Sequence, residues 1–217
     1  MNVLLYGATG NAGSRILAEL LSRGHHVTAV VRPGGRTPPA ADNLTLRHDN
    51  LDDENSILHA IQATNADAIV SAYAAPFSDV DQLASVTSRL IAATAQAAAG
   101  QTKAPRLFVV GGAGSLEAAP GVRLIDAPDF PPAWKPIAAA HGKALDALRK
   151  SSIDWTYLSP SALFQPGQRT GNFRLAQDTL LTDSAGKSSI SMEDYAIALV
   201  DELEQPQHRR QRFTVGY

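Results

Sequence analysis

Residues 2–13 read NVLLYGATGNAG, and they leave few folds open to the chain. Val3, Leu4 and Leu5 make the short apolar run of a strand buried on both faces. Gly7, Gly10 and Gly13 follow at regular spacing, and from Ser14 the pattern turns helical, with Ile16, Leu17, Leu20 and Leu21 on one stripe. Glycines at such a strand-to-helix turn have separate uses. Gly7 makes the tight turn, Gly10 lets a pyrophosphate approach the backbone, and Gly13 lets helix and strand pack closely. The helix start offers unpaired N–H groups to an anion, with Thr9 and Asn11 beside it. The spacing differs from G-x-G-x-x-G, so the phosphate contacts should differ in detail.

The next strand, Val27–Val31, is reached through Gly24, which suits a helix C-cap. An enzyme selecting NAD carries an acid near the end of this second strand to hold the ribose hydroxyls. Between Glu19 and Asp42 the chain has no acid. It has Arg32 and then Arg36 in RPGGR, and a cation there favours the 2′-phosphate of NADP(H), with NAD(H) second. Solvating the loop is the other use of these arginines.

The alternation of strand and helix signals continues to the C-terminus. Leu44–Arg47 reads as a strand, and Asp49 and Asn50 follow at the edge where such sheets bind ligands. Asp49 suits an adenine amino group or the cap of the helix 53–63. Residues 66–72 form a fourth strand, ending in Ala72, Tyr73 and small residues past which a cofactor can run. Residues 80–99 are an alanine-rich helix whose small-residue faces suit tight packing or a homodimer contact. Arg106–Val110 is a fifth strand followed by Gly111-Gly112-Ala113-Gly114-Ser115, flexible glycines and a hydroxyl that suit a nicotinamide or a substrate carbonyl.

Residues 116–136 form a long loop containing Pro120, Pro128, Pro131, Pro132 and Pro136. A helix is expected over 137–150, with His141 and Lys143 near its start. Strands follow at 155–158, 188–191 and 212–215, and Ser191-Met192-Glu193-Asp194 resembles a capping box before a helix over 195–203. Ser161, just past the sixth strand, is a further candidate cofactor contact, and the turn-rich stretch after it reads as a substrate lobe. The fold class is α/β, a doubly wound parallel sheet. One domain, 1–217, is expected, with residues 160–190 forming the small C-terminal substrate lobe.

Composition removes several alternatives. The chain has 217 residues, a net charge of −2 and no cysteine. Disulfides, thiolate catalysis and cysteine-held metals are therefore excluded. No excess of positive charge favours nucleic acid or an anionic membrane. No apolar run approaches the ~18 residues of a membrane span, and the start of the chain has no basic-plus-apolar leader. A cytoplasmic protein with a small-molecule partner and no metal is the expectation.

Four stretches carry a resemblance: YGATGNAGS at 6–14, VVGGAGSLEAAPG at 109–121, DWTYLSPSALFQPGQRTG at 154–171 and DYAIALVDELEQPQHRRQRFTVGY at 194–217. With them the chain resembles the atypical short-chain dehydrogenase/reductase group. Within that group it looks most like the NAD(P)H-binding NADH-flavin reductases, kin to biliverdin reductase B and the NmrA-like proteins. The resemblance implies a Rossmann fold and an NAD(P)H-dependent reductase. It departs from the wider superfamily at the Tyr-x-x-x-Lys pair, because four residues before Lys143 stands Ala139.

Without that tyrosine, a ketone would lack its usual proton donor. A flavin (FMN or FAD) or another planar acceptor can instead take hydride directly while solvent supplies the proton. Ser115 and His141 are the local donors for the developing charge, although His141 suits a plain surface position as well. Lys143 either meets the nicotinamide ribose or faces solvent. Phe164 and the loop around Trp134 are expected to wall the stacking space. The alternative is an NmrA-like sensor that binds the dinucleotide without turnover. A sugar-nucleotide epimerase is a weaker third reading.

Overall fold

The opening apolar run forms β1 (Asn2–Tyr6), in which Val3 to Tyr6 are buried. In the computed structural model, which describes residues 1–101 and 103–217, β1 pairs in parallel with β2 (His26–Val31) and β4 (Ala68–Ser71). Beyond β2 lies β3 (Leu44–His48). On the other side of β4 come β5 (Arg106–Val110), β8 (Trp155–Ser159) and β12 (Gln211–Gly216), all parallel, and then β10 (Arg174–Ala176), antiparallel to β12. The sheet order is β10-β12-β8-β5-β4-β1-β2-β3. The chain thus winds one way from β1 to β3 and the other way from β4 onward. Between the C-terminal ends of β1 and β4 this reversal opens a crevice, the usual ligand position in such sheets.

Helices cover both faces. α1 (Asn11–Ser22) and α5 (Met192–Glu204) pack on one side, around Phe213, Tyr195 and Leu158. α2 (Glu54–Thr64), α3 (Gln82–Ala98) and α4 (Lys135–Lys150) cover the other, around Tyr6, Tyr157 and Trp155. The architecture is the doubly wound Rossmann-like α/β fold. Among the described residues no helix is long and apolar enough to cross a membrane.

Local signals set the helix ends. After α1, Gly24 has φ 76°, and the N–H groups of Gly24 and His25 donate to Leu21 and Leu20 at 3.0 and 3.1 Å. That is a Schellman termination, which glycine reaches without strain. Asp53 caps α2 by accepting from the N–H groups of Asn55 and Ser56. Ser191 caps α5 by accepting from the N–H of Asp194 at 3.0 Å.

The C-terminal half differs most from the sequence expectation. The proline-rich loop contains a short hairpin, β6 (Glu117–Ala119) with β7 (Val122–Arg123), and two 3₁₀ turns, Leu124–Asp126 and Pro132–Trp134. Residues 160–190 are tied into the main body. β10 extends the central sheet, while β9 (Leu163–Gln165) pairs with β11 (Ser189–Ser191), the strand expected at 188–191. The fully buried Asp194 carboxylate accepts from the Thr170 and Gly171 N–H groups at 2.7 and 2.9 Å and from the Tyr217 hydroxyl at 2.8 Å. Burial alone would raise its pKa, but the Thr170, Gly171 and Tyr217 contacts hold it below the usual carboxylate range.

Candidate functional site

The three glycines of the β1–α1 turn do different things. Gly7 has φ 81°, and a Cβ there would lie 2.3 Å from the Ala72 carbonyl oxygen. At Gly13 a Cβ would lie 1.9 Å from the Gly7 carbonyl oxygen. Both glycines are therefore fixed by close packing between β1, α1 and the end of β4. Gly10 is different: a Cβ there would meet only the Gly7 carbonyl oxygen, at 3.3 Å. It is exposed and stands as the N-cap of α1 with no side chain capping the helix. With no side chain capping them, the first-turn N–H groups leave the space at the exposed Gly10 to an outside acceptor, which is what a pyrophosphate requires. A Cβ at Gly10 would intrude on that space, so the cradle fits a dinucleotide. Asn11 is exposed at the same turn, and the Thr9 carbonyl accepts from Arg36 Nη2 at 3.2 Å.

Arg32 and Arg36 are both exposed on the loop after β2, with Arg36 drawn against the phosphate turn. Asp49 is anchored from several sides, by the Ser56 hydroxyl at 2.6 Å, the Asn50 N–H at 2.8 Å and Arg47 Nε at 3.1 Å. Burial would raise its pKa, yet these donors hold it below the ordinary carboxylate range. It is thus a charged acceptor at the β3 end, and the helix-capping alternative falls to Asp53. Asn50 is exposed beside it, its side-chain oxygen accepting from the Asp52 N–H. Across the crevice Ala72 abuts Gly7, and the Tyr73 hydroxyl donates to Gln82 Oε1 at 2.9 Å.

The glycines after β5 are packing glycines, where the sequence suggested flexibility. A Cβ on Gly111 would strike the Tyr157 ring at 2.2 Å, one on Gly112 the His141 ring at 2.8 Å, and one on Gly114 the Ala138 side chain at 2.7 Å. The loop is pressed against β8 and α4, and Ser115 ends it half-buried. His141 does not have the free surface position open to it from sequence. Its Nδ1 lies 3.3 Å from the Tyr157 hydroxyl, which also accepts from the Gly112 N–H and donates to the His141 carbonyl, both at 3.1 Å. One proton arrangement satisfies all of these: Nδ1–H donates to Tyr157 and Nε2 is left as an acceptor. The residue keeps some exposed surface, but its ring is desolvated, and burial lowers its pKa to about 4. His141 is therefore neutral near pH 7 and is a poor proton source. Tyr157 does not replace the missing tyrosine either. It is fully buried, and burial raises its pKa well above the phenol range.

This geometry predicts a pH effect on stability. Between pH 6.5, the ordinary histidine value, and about 4, the unfolded chain binds a proton that folded His141 refuses. Stability should therefore fall as the pH drops through that window, by on the order of 3 kcal/mol at most, and level off below it. His141→Gln should remove that part of the slope, measured by urea unfolding at several pH values.

The other candidates separate. Lys143 pairs with Asp81 at 2.9 Å, both well exposed, at the foot of α3. Ser161 is 1% exposed and donates to the Val215 carbonyl at 2.9 Å, so it ties β12 in place and turns no atom to the crevice. Phe164 packs on Tyr195 with ring centroids 4.7 Å apart, on the α1–α5 side of the sheet, and does not wall the crevice. Trp134 instead meets Phe77, edge to face at 5.3 Å. Phe77 lies on the β4–α3 loop, and these two rings are 65% and 54% exposed, Phe77 first. Sequence reading missed Phe77, Tyr157 and Arg212. The last has a signal in hindsight, an arginine in the alternating strand RFTV whose neighbour Phe213 is core.

A family model described as NAD(P)H-binding matches residues 7–206. YwnB of Bacillus subtilis (strain 168), an uncharacterized protein, is 40% identical over 99% of this chain and 98% of its own length. A crystal structure from Bacteroides thetaiotaomicron, named a "putative epimerase", is 39% identical with a TM-score of 0.89, covering 99% of this chain and 96% of that one. SP1627 of Streptococcus pneumoniae TIGR4, named a "putative NADH-flavin reductase", is 34% identical with a TM-score of 0.84, covering 100% of this chain and 99% of that one.

Proposed function

The chain belongs to the NAD(P)H-binding family, and from that premise we propose that it is a reductase delivering hydride from NADPH to a flavin or similar planar acceptor. The observation that carries this reading is the pairing of an open phosphate cradle with an exposed aromatic pair. No ionisable proton donor stands at the position of the missing tyrosine. When bound, the dinucleotide supplies a hydride at the nicotinamide C4. The chain's own residues hold and orient. The first-turn N–H groups of α1, with Gly10, Thr9 and Asn11, take the pyrophosphate, and Gly7 and Gly13 keep that turn in place. Arg32 and Arg36 take the 2′-phosphate, while Asp49 and Asn50 meet the adenine end. Ala72, Tyr73 and Gly111 line the path toward the β5 edge. Trp134 and Phe77 each offer an exposed ring on which a planar acceptor stacks. Ser115 donates a hydrogen bond to the acceptor, neutral His141 packs the loop beneath it, and Lys143 with Asp81 borders the ribose. Water supplies the remaining proton. An epimerase fits less well, since Ala139 stands where its tyrosine would be.

One observation favours a second reading. Tyr157 and the His141 ring are desolvated, neutral and engaged with each other, which suits a redox sensor that binds the dinucleotide without turnover. NADPH oxidation assayed across flavins and quinones separates the two. Stoichiometric binding without consumption would favour the sensor.

Cofactor choice gives a second test. Arg32→Asp should weaken NADPH about ten- to a hundredfold, the worth of a charge-assisted phosphate contact of roughly 1.5–3 kcal/mol. NADH should weaken much less. Calorimetric titration with both cofactors reads the difference, and equal losses would show that Arg32 does not discriminate.

A further inference from the structure

Arg212 enters from β12 with only 6% of the residue exposed. Its Nε donates to Asp178 Oδ1 at 2.6 Å, and Nη2 reaches the same oxygen. Asp178 itself keeps about half of its side chain in solvent, at 52% exposed. The remaining donors turn to the loop after β5. Nη1 reaches Ser115 Oγ at 3.2 Å and Ser159 Oγ at 3.4 Å, and Nη2 reaches the Ser115 carbonyl at 3.4 Å. A planar guanidinium can hold two atoms of one residue in fixed geometry, as an ammonium cannot. The backbone here has anchors of its own. The Glu117 N–H donates to the Asp178 carbonyl, and the Leu180 N–H to the Glu117 carbonyl, both at 2.8 Å. The fork on the Ser115 hydroxyl and carbonyl is therefore additional to what holds the segment.

Since Ser115 Oγ accepts from Arg212, its own proton must point away from the guanidinium. Among the described residues no acceptor meets that proton. Ser115 is half-buried on the loop that follows β5, so this O–H is hydrogen-bonding capacity left free for a bound group. A cation on the oxygen also makes the O–H a stronger donor.

We propose that Arg212 is a positioning residue that orients the Ser115 hydroxyl as a hydrogen-bond donor to a planar acceptor, at the carbonyl or ring nitrogen where charge accumulates on reduction. The assignment rests on the reductase reading. It is tested by Arg212→Lys, Ser115→Ala and the pair, with two readouts. One is FMN affinity in the presence of NADP+, from quenching of flavin fluorescence. The other is kcat for NADPH oxidation with FMN. Each single variant should weaken FMN and lower kcat about two- to tenfold, the worth of one hydrogen bond. The pair should lose no more than the worse single variant in both readouts, while their losses in melting temperature accumulate. Losses in FMN affinity that multiply in the pair would overturn the assignment and leave Arg212 a structural tie. Should Arg212→Lys fail to fold, Asp178→Ala removes the acceptor that holds the guanidinium on its solvent side. It should reproduce the FMN loss, and lose that effect in the Ser115→Ala background. A parent protein that neither binds FMN nor oxidises NADPH with it overturns the reductase reading and this assignment together. A parent that does both, with multiplying losses, overturns this assignment alone.

Discussion

Gly10→Val will give a folded protein that no longer binds NADPH. The backbone at Gly10 has φ −77° and ψ 171°, an ordinary extended conformation that valine adopts without strain. Its Cβ would press only on the Gly7 carbonyl oxygen, at 3.3 Å, a contact relieved by a shift of a few tenths of an ångström. Valine is a poorer N-cap than glycine, which costs about 1 kcal/mol and a few degrees of melting temperature. The branched side chain, however, occupies the space in front of the α1 N–H groups. Removing the pyrophosphate from those donors should weaken NADPH by roughly a hundredfold or more. Calorimetry reads the affinity, and circular dichroism confirms the fold. NADPH affinity close to the parent's would mean the phosphate lies elsewhere.

Gly13→Ala is the opposite case, a small change that should damage the fold. By helix propensity alone, alanine for glycine inside α1 would stabilise by about 1 kcal/mol. Geometry reverses that sign. The new methyl would sit 1.9 Å from the Gly7 carbonyl oxygen and 2.7 Å from its carbon, both backbone atoms with no rotamer to escape into. Helix α1 would have to move off β1, disturbing packing around Ile16, Leu17 and Leu20. A net loss of about 3 kcal/mol or more is expected. For a domain of this size that is roughly 6–12 °C in melting temperature. Thermal unfolding with the parent alongside is the measurement. A gain in stability would mean that β1 and α1 are not in this register.

The two glycine variants mark where sequence reading succeeds. The β1–α1–β2 unit is local: apolar run, glycines, helical stripe and second strand follow each other within about 30 residues. Pattern alone identifies it, and with it the glycines that close packing requires at Gly7 and Gly13. The caps at Gly24 and Ser191 were legible for the same reason. Asp53 was not distinguished from Asp49, because both precede the same helix and only the Ser56 and Arg47 contacts separate them. Long-range partners left weaker marks. Tyr157 and His141 belong to a strand and a helix, and WTYL reads as an ordinary apolar strand until the hydroxyl is seen under Gly112. Ser161 looked available because nothing near it in sequence announces the Val215 carbonyl from β12. Phe164 was legible as an aromatic, but its face depends on the pairing of β9 with β11. Within 160–190 the pairing of β10 with Thr214–Gly216 left no local mark, because its partner lies some 40 residues further along the chain. Residues 116–136 lacked a visible hairpin because β6 and β7 are exposed and carry no apolar alternation.

On the proposed reading, hydride leaves NADPH on this protein for a planar acceptor. The most direct measurement is anaerobic single turnover, in which the protein preloaded with one equivalent of NADPH is mixed with excess FMN. The absorbances of NADPH and of oxidised FMN are followed together. Both should fall with one rate constant that saturates with FMN concentration, with one FMN reduced per NADPH. NADPH that stays bound and reduced in the presence of FMN, at a rate no faster than in free solution, would contradict it.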